Sequence, residues 1–269
     1  MPAISFQLYV WPQRLLMLAP GYGSTLHRHH LAQLAFGLDG PVVFESAQGG
    51  MQHADLLLIP PDVAHAHPAF GPSAVLYLEP ESADWAAFHG RGSTDLSALP
   101  FDPRLRAIAR RAAAASDAVA AQTLVDRLIG DRAASEGGAG DDVLVAQVCE
   151  LVRHRLDAGP ITLVALARAV HRSPGRLAHR FRSTIGVPLR RYVLWSRLRV
   201  AAEAALRGAS LTEAAHAAGF ADSAHLSRTF RASFGIAPSF LFQRGRFGVT
   251  FCESAPVRPP SAPARAPSC

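Results

Sequence analysis

The sequence predicts an α+β protein, in which a β-barrel with accompanying helices is followed by an all-helical domain of two helix-turn-helix units. Short apolar runs between turn residues fill residues 5–78, and helical apolar spacing dominates residues 143–242. A third observation is a pattern that occurs twice within the helical part. The chain has 269 residues, of which 49% are hydrophobic, and this is enough for two domains of roughly 100–200 residues each.

The first part of the chain alternates strand signals with turn signals. Apolar runs at 42–44, 56–59 and 75–78 are separated by pairs such as Gly49-Gly50, and several short strands at this spacing are typical of a sandwich or barrel. Residues 103–129 lack glycine and have apolar residues at helical spacing, which predicts two helices there.

Composition suggests the domain boundaries. Apart from Arg132, residues 131–142 are small or acidic and include three glycines, which is typical of a linker, and the proline-rich end of the chain predicts a disordered tail. The predicted division is a barrel domain at 1–130, a linker at 131–142, a double helix-turn-helix domain at 143–246 and a tail at 247–269.

Charge is divided unevenly between the two parts. All 27 basic residues are arginine. Residues 1–140 contain 9 arginines and 13 acidic residues, a net charge of −4, whereas residues 141–269 contain 18 arginines and 8 acidic residues, a net charge of +10. Such a basic half favours a polyanionic partner, most commonly double-stranded DNA. The alternative is an ordinary solvated surface in an arginine-rich protein.

Several classes are disfavoured by what the sequence lacks. The cysteines Cys149, Cys252 and Cys269 are widely spaced without a C-x-x-C pair, so neither a disulfide framework nor a zinc finger is indicated. The first residues do not resemble a signal peptide, and no apolar run approaches the 18 residues of a membrane span. We expect a cytoplasmic protein with no membrane partner.

The internal repeat predicts two helix-turn-helix units. Leu177, Phe181 and Ile185 correspond to Leu226, Phe230 and Phe234 at an offset of 49, and each triplet has the i, i+4, i+8 spacing of a buried helical stripe. A glycine suited to a helix C-terminus follows each triplet. Between the units, residues 189–206 predict a helix of about 18 residues and so ~27 Å, which could place two recognition helices about one DNA turn apart.

The outward faces of the two second helices carry arginine, histidine and small residues, which suit contact with a DNA groove. We predict base contacts by Arg176, His179, His225 and Arg228 and phosphate contacts by Arg182, Arg231, Arg190 and Arg191. The complete predicted DNA-binding set is Ser173, Gly175, Arg176, Ala178, His179, Arg182, Ser223, Ala224, His225, Ser227, Arg228 and Arg231. A solvated basic face on a plain helical bundle is the alternative for either copy alone.

The stretch from Ser210 to Ser239 resembles the signature of the AraC/XylS-type transcriptional regulators, and the resemblance covers about residues 143–242. It departs from the signature at Ala214, Ala218, His225 and Leu226, which are packing changes. The resemblance implies a transcriptional regulator, either an activator or a repressor, with a cupin-like N-terminal domain that binds a small molecule and dimerises, here through 103–129. Its implied partners are double-stranded DNA, a small-molecule effector, a second copy of the chain and RNA polymerase.

Histidines cluster in the first part of the chain. His27, His29 and Gln33 are separated by even steps, so on a continuous strand they would share one face. Together with His65, which follows Asp62, they resemble the two cupin motifs, and in metal-binding cupins two histidines and a glutamate of the first motif and one histidine of the second hold the ion. Here Gln33 replaces the glutamate, and Asp62 stands where glycine is usual.

Two interpretations of this cluster stay open. Three imidazoles could bind Zn²⁺, Ni²⁺ or Fe²⁺, although the lost carboxylate weakens charge compensation. Alternatively the pocket is a degenerate cupin site in which His27, His29, Gln33 and His65 contact the backbone or an organic effector. No cofactor is therefore assigned with certainty.

The leading interpretation is a sequence-specific regulator that is not an enzyme. The first alternative is a metal-dependent cupin enzyme with a basic accessory domain, but Gln33 cannot act as a general base and no acid or base carboxylate lies beside the histidines in sequence. The second alternative is a non-specific nucleoid-type binder, which two distinct recognition helices disfavour.

Overall fold

The computed structural model describes residues 5–47, 49–68, 71–89, 96–130, 142–156, 161–243 and 247–253. The strands of the first part are β1 (Phe6–Trp11), β2 (Arg14–Ala19), β3 (Ser24–His27), β4 (Ala32–Gly37), β5 (Val42–Ser46), β6 (Met51–Ala54), β7 (Leu57–Ile59), β8 (His65–His67), β9 (Ser73–Leu78) and β10 (Ser97–Ala98). Its helices are α1 (Ala83–His89), α2 (Arg104–Ala115) and α3 (Ala118–Ile129). The strands predicted at 42–44, 56–59 and 75–78 and the two helices within 103–129 are confirmed.

The strands form a two-sheet barrel. The larger sheet has the order β10-β7-β4-β9-β2-β1 with one further strand beyond β1, and the smaller sheet has the order β3-β8-β5-β6. Apolar side chains such as Ala35, Phe44 and Val75 pack together inside the barrel. The chain passes from the small sheet to the large one at residues 28–31, between β3 and β4, so the predicted continuous strand from His27 to Gln33 is wrong.

Helices α2 and α3 pack against the barrel. Leu105, Ala109, Leu124 and Leu128 are buried in one cluster with Tyr9, Leu34 and Leu76 of the large sheet. The hydroxyl of Tyr9 donates a hydrogen bond of 2.8 Å to the Ala112 carbonyl oxygen. The apolar spacing that suggested a dimer interface therefore covers the barrel of the same chain, since sheet faces must be buried against another layer.

The second part is helical, as predicted. Its helices are α4 (Val143–His154), α5 (Leu163–Ala169), α6 (Pro174–Ile185), α7 (Leu189–Leu206), α8 (Leu211–Ala217), α9 (Ser223–Phe234) and α10 (Ser239–Phe242). Helices α5 and α6 form the first helix-turn-helix unit and α8 and α9 the second. The 18-residue helix α7 joins them at the predicted position.

Each unit has its own apolar core. Leu177, Phe181 and Ile185 of α6 are buried with Val148 and Tyr192 in the first unit. Leu226 and Phe230 of α9 are buried with Leu198 and Ala215 in the second. Helix α7 contributes to both cores, because Tyr192 packs in the first and Leu198 in the second.

The start of the predicted tail is ordered. Residues Phe247–Phe251 form strand β11, which pairs in parallel with β1 at the edge of the large sheet. The amide of Cys252 continues this pairing with a hydrogen bond of 2.8 Å to the Val10 carbonyl oxygen. The prediction of disorder for 247–253 is thus wrong, because the strand finds its partner about 240 residues away and no local pattern reveals it. Residues 254–269 and the linker residues 131–141 lie outside the described residues.

Within the described parts of the chain, no helix is both long and apolar enough to cross a membrane.

Candidate functional site

The first candidate recognition helix, α6, has well-defined ends. The Ser173 side chain accepts a hydrogen bond from the Arg176 amide, and Pro174 occupies the first turn. Gly186 ends the helix with a left-handed conformation, φ 84°. The outward residues Gly175, Arg176, His179 and Arg182 are exposed, and Ala178 is half-buried.

The second candidate recognition helix, α9, repeats this design with Asp222 as its cap. The Asp222 carboxylate accepts a hydrogen bond of 2.6 Å from the His225 amide. Ala224, Arg228 and Arg231 are exposed, and Ser223, His225 and Ser227 are half-buried. The Ser227 hydroxyl donates to the Ser223 carbonyl oxygen at 2.8 Å, and the His225 ring lies edge-on to Phe220. The arginines of α9 therefore reach farther into solvent than its histidine and serines.

Four of the predicted DNA-contacting arginines are uncompensated. Within the part of the chain that the structure describes, no carboxylate forms an ion pair with Arg176, Arg182, Arg228 or Arg231, whereas Arg180 pairs with Asp142 at 2.6 Å. Exposed, unpaired guanidinium groups are well suited to phosphate oxygens and guanine edges.

Arg191, predicted as a phosphate contact, is held by the barrel instead. Its guanidinium forms an ion pair with Asp62. Asp62 has φ 65°, a left-handed conformation that favours glycine but that aspartate tolerates. The departure from the cupin motif at Asp62 therefore supplies a charge that ties the barrel to α7. Arg190, the neighbouring predicted contact, is exposed.

The barrel also contacts the end of α9. The Thr25 amide and the Thr25 hydroxyl both donate to the Gly235 carbonyl oxygen, each at 3.1 Å. The Phe234 ring lies 6.2 Å from the His29 ring, and Gly235 leaves no room for a side chain because a Cβ there would lie 2.3 Å from the Thr25 carbonyl oxygen. The second recognition helix is thus positioned by β3 of the barrel.

The predicted effector residues come together inside the barrel. His27, His29 and His65 are buried, and one ring nitrogen of each lies within 4.8 Å of those of the other two. Gln33 is fully buried beside them, with its amide oxygen 3.0 Å from His29 Nε2 and its amide nitrogen 3.1 Å from His67 Nε2. His67 was not among the residues predicted for this site.

The environment keeps these imidazoles neutral. Burial lowers the pKa of His27, and burial together with the His27 charge lowers the pKa of His29 to about 4. Burial and the neighbouring histidines also lower the pKa of His65. Neutral imidazoles retain one lone pair each, which is the form that ligates metals.

Beside the histidines lies a cavity of about 100 Å³ between the barrel and the helical domain. Both domains contribute its wall, which is mostly apolar. The lining residues include Leu8, Met17, Tyr22, Leu31 and Tyr77 from the barrel, Trp195, Leu198, Ala202, Phe230 and Phe234 from the helical domain, and the polar Ser24, His27 and His67. A ligand in this cavity would touch both domains.

Sequence reasoning missed the helical half of this wall. Phe230 and Phe234 were interpreted as core residues, and Phe230 does pack in the core of the second unit. Phe234 at the end of that stripe and the large Trp195 were the available signals, but the sequence cannot show which surface covers them. Trp195 lies 6.4 Å from His30 and 6.1 Å from Phe234, ring to ring.

A further interdomain contact involves a buried pair of acidic residues. Glu79 is 3.5 Å from Arg199 of α7, and Glu81 accepts a hydrogen bond of 2.6 Å from the Tyr192 hydroxyl and lies 3.7 Å from Arg153. Burial and the neighbouring Glu81 raise the pKa of Glu79 to about 8, although Arg199 and Arg153 act in the opposite direction. Desolvation outweighs the ion pair because the Glu79 side chain is only 6% exposed.

This raised pKa predicts a pH-dependent stability. Because folded Glu79 holds its proton up to about pH 8 and the unfolded residue loses it near 4.5, its contribution is complete below pH 4.5 and is lost as the pH rises through 8. The wild-type free energy of unfolding should fall between pH 6 and 8 by at most about 1.4 kcal/mol per pH unit. Glu79→Gln should flatten this slope in urea titrations, whereas Glu45→Gln, at an exposed site, should not; parallel slopes for all three proteins would contradict the assignment.

Residues 166–244 match a protein family described as a helix-turn-helix domain. The C-terminal part of this chain is a helix-turn-helix domain. The match spans α5 to α10 and thus both units, as the internal repeat predicted.

The helix-turn-helix domain and the barrel together have the fold of a known protein. Apo ToxT from Vibrio cholerae is similar with a TM-score of 0.61 and 13% identity, over 86% of this chain and 97% of that chain. Unsaturated fatty acid-bound ToxT has a TM-score of 0.56 and 13% identity, over 86% and 95%. ToxT bound to (E)-4-(8-methylnaphthalen-1-yl)but-3-enoic acid has a TM-score of 0.56 and 12% identity, over 88% and 98%. At these identities the likeness shows a common fold.

Proposed function

We propose that this protein is a sequence-specific DNA-binding transcriptional regulator whose affinity for DNA depends on a small molecule bound between the barrel and the AraC-type domain. The observation that carries the proposal is the pair of capped helices α6 and α9, whose exposed arginines have no ion-pair partner among the described residues. Two such helices joined by one rigid helix suit successive segments of a major groove.

The cavity defines the class of effector. Its wall is apolar except near Ser24, His27 and His67, so a small amphipathic molecule with its polar group toward the histidines fits best. The fatty acid named for ToxT is a molecule of this chemical class. Because the wall includes Phe230 and Phe234 of α9, occupancy would act directly on the second recognition helix.

Narrowing the cavity should weaken the binding of the effector. Ala202 lines the cavity from α7, and a phenylalanine there would occupy the space that a ligand needs. We expect Ala202→Phe to reduce binding of a monounsaturated fatty acid, measured by calorimetry, by about tenfold or more, since each factor of ten is 1.4 kcal/mol. Ala114→Phe, on the exposed side of α2, is the matched control and should bind like the wild type. Equal affinity of both variants would place the effector elsewhere.

The two predicted kinds of arginine contact should behave differently on DNA. Arg228→Ala should lower the affinity for the specific DNA site, which the genomic selection described below identifies, by ~1–3 kcal/mol and relax base preference at one position. Arg231→Ala should weaken binding to all sequences alike. Binding of both variants to the selected site and to random DNA can be compared by fluorescence anisotropy. If both variants lost equal affinity for both DNAs, the assignment of base and phosphate contacts would be contradicted.

The decisive experiment for the function is selection of fragmented genomic DNA by the full chain followed by sequencing. We expect enrichment of a motif with two elements about one DNA turn, ~34 Å, apart. Retention of all fragments without a common motif would favour the non-specific binder, and no retention would favour the enzyme alternative. A regulator of this kind would work in the cytoplasm, where it meets DNA and RNA polymerase.

A homodimer is a further part of the proposal. Its interface must lie outside the buried stripe of α2 and α3, because that stripe covers the barrel. Sedimentation equilibrium of the full chain at micromolar concentration should give twice the monomer mass, and a monomer mass over the whole concentration range would count against a dimer.

A further inference from the structure

Three backbone hydrogen bonds orient the histidine rings of the barrel. Nδ1 of His27 lies 2.8 Å from the Thr25 carbonyl oxygen, Nδ1 of His29 lies 2.9 Å from that of Leu31, and Nδ1 of His65 lies 2.9 Å from that of Val63. A carbonyl oxygen only accepts, so each Nδ1 carries the proton and each Nε2 carries the lone pair. Outer hydrogen bonds of this kind are the usual support of histidine metal ligands, because they fix the tautomer and the ring orientation.

The three lone pairs converge in a buried place. Among the described residues, His65 Nε2 has no hydrogen-bond partner although it is buried, which is a costly state for a polar atom. His29 Nε2 faces the Gln33 side chain, and because it is an acceptor there, the Gln33 amide is best oriented with its NH₂ group toward His29. An ion would satisfy all three nitrogens at once.

We propose that His27, His29 and His65 bind a divalent transition-metal ion, Zn²⁺ first among the candidates, and that the ion sets the position of α9 through Thr25. The regulatory half of this inference rests on the proposed DNA-binding function. Three neutral imidazoles with an open fourth position hold Zn²⁺ in carbonic anhydrase, so a carboxylate ligand is not required. A water molecule is the available fourth ligand, because the Gln33 amide oxygen then faces His67 Nε2.

Ligation would fix the His27 ring. The three nitrogens lie within 4.8 Å of one another, and nitrogens at 2.0–2.1 Å from a tetrahedral Zn²⁺ are about 3.4 Å apart. His65 is held at its Nδ1 by the Val63 carbonyl of the adjoining loop, and His27 is held by Thr25 on β3. A bound ion therefore fixes the position of His27 relative to the other two rings.

His27 lies directly against the end of the second recognition helix. Thr25 accepts from His27 through its carbonyl oxygen and donates to the Gly235 carbonyl oxygen through its amide and its hydroxyl. A Cβ on Gly235 would lie only 2.8 Å from His27 Nδ1, so the backbone at the end of α9 and the His27 ring are in close contact. The position of His27 is thus transmitted to Gly235 through one hydrogen-bonded residue, Thr25.

The metal site can be tested without DNA. The chelator-treated full chain should bind one equivalent of Co²⁺ with visible absorption bands of tetrahedral type, and Zn²⁺ should displace it. His65→Gln and His27→Gln should each weaken binding about 100-fold or more, whereas His53→Gln, on the exposed face of β6, should bind like the wild type. Less than stoichiometric binding at micromolar metal, or equal binding by His53→Gln and His65→Gln, would overturn the site. If a variant fails to fold, the Co²⁺ absorption spectrum of the wild type still tests the metal site.

The coupling between metal binding and DNA binding is tested by a separate measurement. With Zn²⁺ and with chelator, the affinity of the wild type for its selected DNA should differ about tenfold or more, and His65→Gln should show no difference. A bound ion without any effect on DNA affinity would overturn the coupling. Specific DNA binding by a chain that takes up no metal would overturn the metal site and leave the proposed function standing, whereas metal uptake by a chain that binds no DNA would overturn the function.

Discussion

Replacement of Phe181 by alanine is expected to lower the free energy of unfolding of the helical domain by about 3–5 kcal/mol. The Phe181 side chain is fully buried, and its ring packs edge-on against Tyr192 at 5.4 Å. The lost ring would leave a cavity between α6 and α7, so α6 would no longer be held against the linking helix. DNA affinity should fall with it, because a recognition helix binds productively only when its orientation is fixed.

Two further substitutions make this prediction specific. Phe230→Ala alters the equivalent position of the second unit, which is 3% exposed, and should cost a similar amount. Phe251→Ala, at a side chain that is 42% exposed, should change stability by less than about 1 kcal/mol. Urea unfolding followed by circular dichroism gives all three values. A loss below 1 kcal/mol for Phe181→Ala would mean that the repeat does not mark the core of the unit.

The helix-turn-helix units could be predicted from sequence because the physics that defines them is local. A buried stripe at i, i+4 and i+8, such as Leu177, Phe181 and Ile185, requires a helix, and Ser173 and Gly186 mark its ends through caps that involve only neighbouring residues. The repetition of the stripe as Leu226, Phe230 and Phe234 then identified the two units.

The interdomain arrangement could not be predicted in the same way. Helix α7 has apolar residues on several sides because Tyr192 packs in one core, Leu198 in another and Trp195 against the barrel. The sequence of this helix therefore shows no single apolar stripe. The pairing of β11 with β1 depends likewise on residues far apart in the chain.

The histidine site was located by sequence for a partly wrong reason. His27, His29 and Gln33 were expected to share the face of one strand, but the chain crosses between the sheets at residues 28–31. The side chains still converge, because the bend directs His29 inward, where its Nδ1 meets the Leu31 carbonyl oxygen at 2.9 Å. The role of Thr25 had no sequence signal, since its partner Gly235 belongs to the other domain.

Alanine variants of Gly186 and Gly235 can separate the contact between Thr25 and Gly235 from the effect of helix capping. Gly186 and Gly235 both end a recognition helix in the left-handed conformation, with φ 84° and 67°. An added Cβ meets nothing within 4 Å at Gly186 but lies 2.3 Å from the Thr25 carbonyl oxygen at Gly235. Both alanine variants should lose ~1–2 kcal/mol of stability from the left-handed backbone. Only Gly235→Ala must also displace β3, which should cost a further ~1–3 kcal/mol.

The readout is the protection of the barrel against amide hydrogen exchange. The Thr25 amide donates to the Gly235 carbonyl oxygen, so its exchange should accelerate in Gly235→Ala and stay unchanged in Gly186→Ala. The DNA affinity of Gly235→Ala should also become independent of effector, because the wall of the cavity that α9 provides moves away from the barrel. If both variants kept the wild-type exchange of Thr25, the barrel would not position the second recognition helix through this contact, and the signal would have to pass through α7 and the ion pair of Arg191 with Asp62.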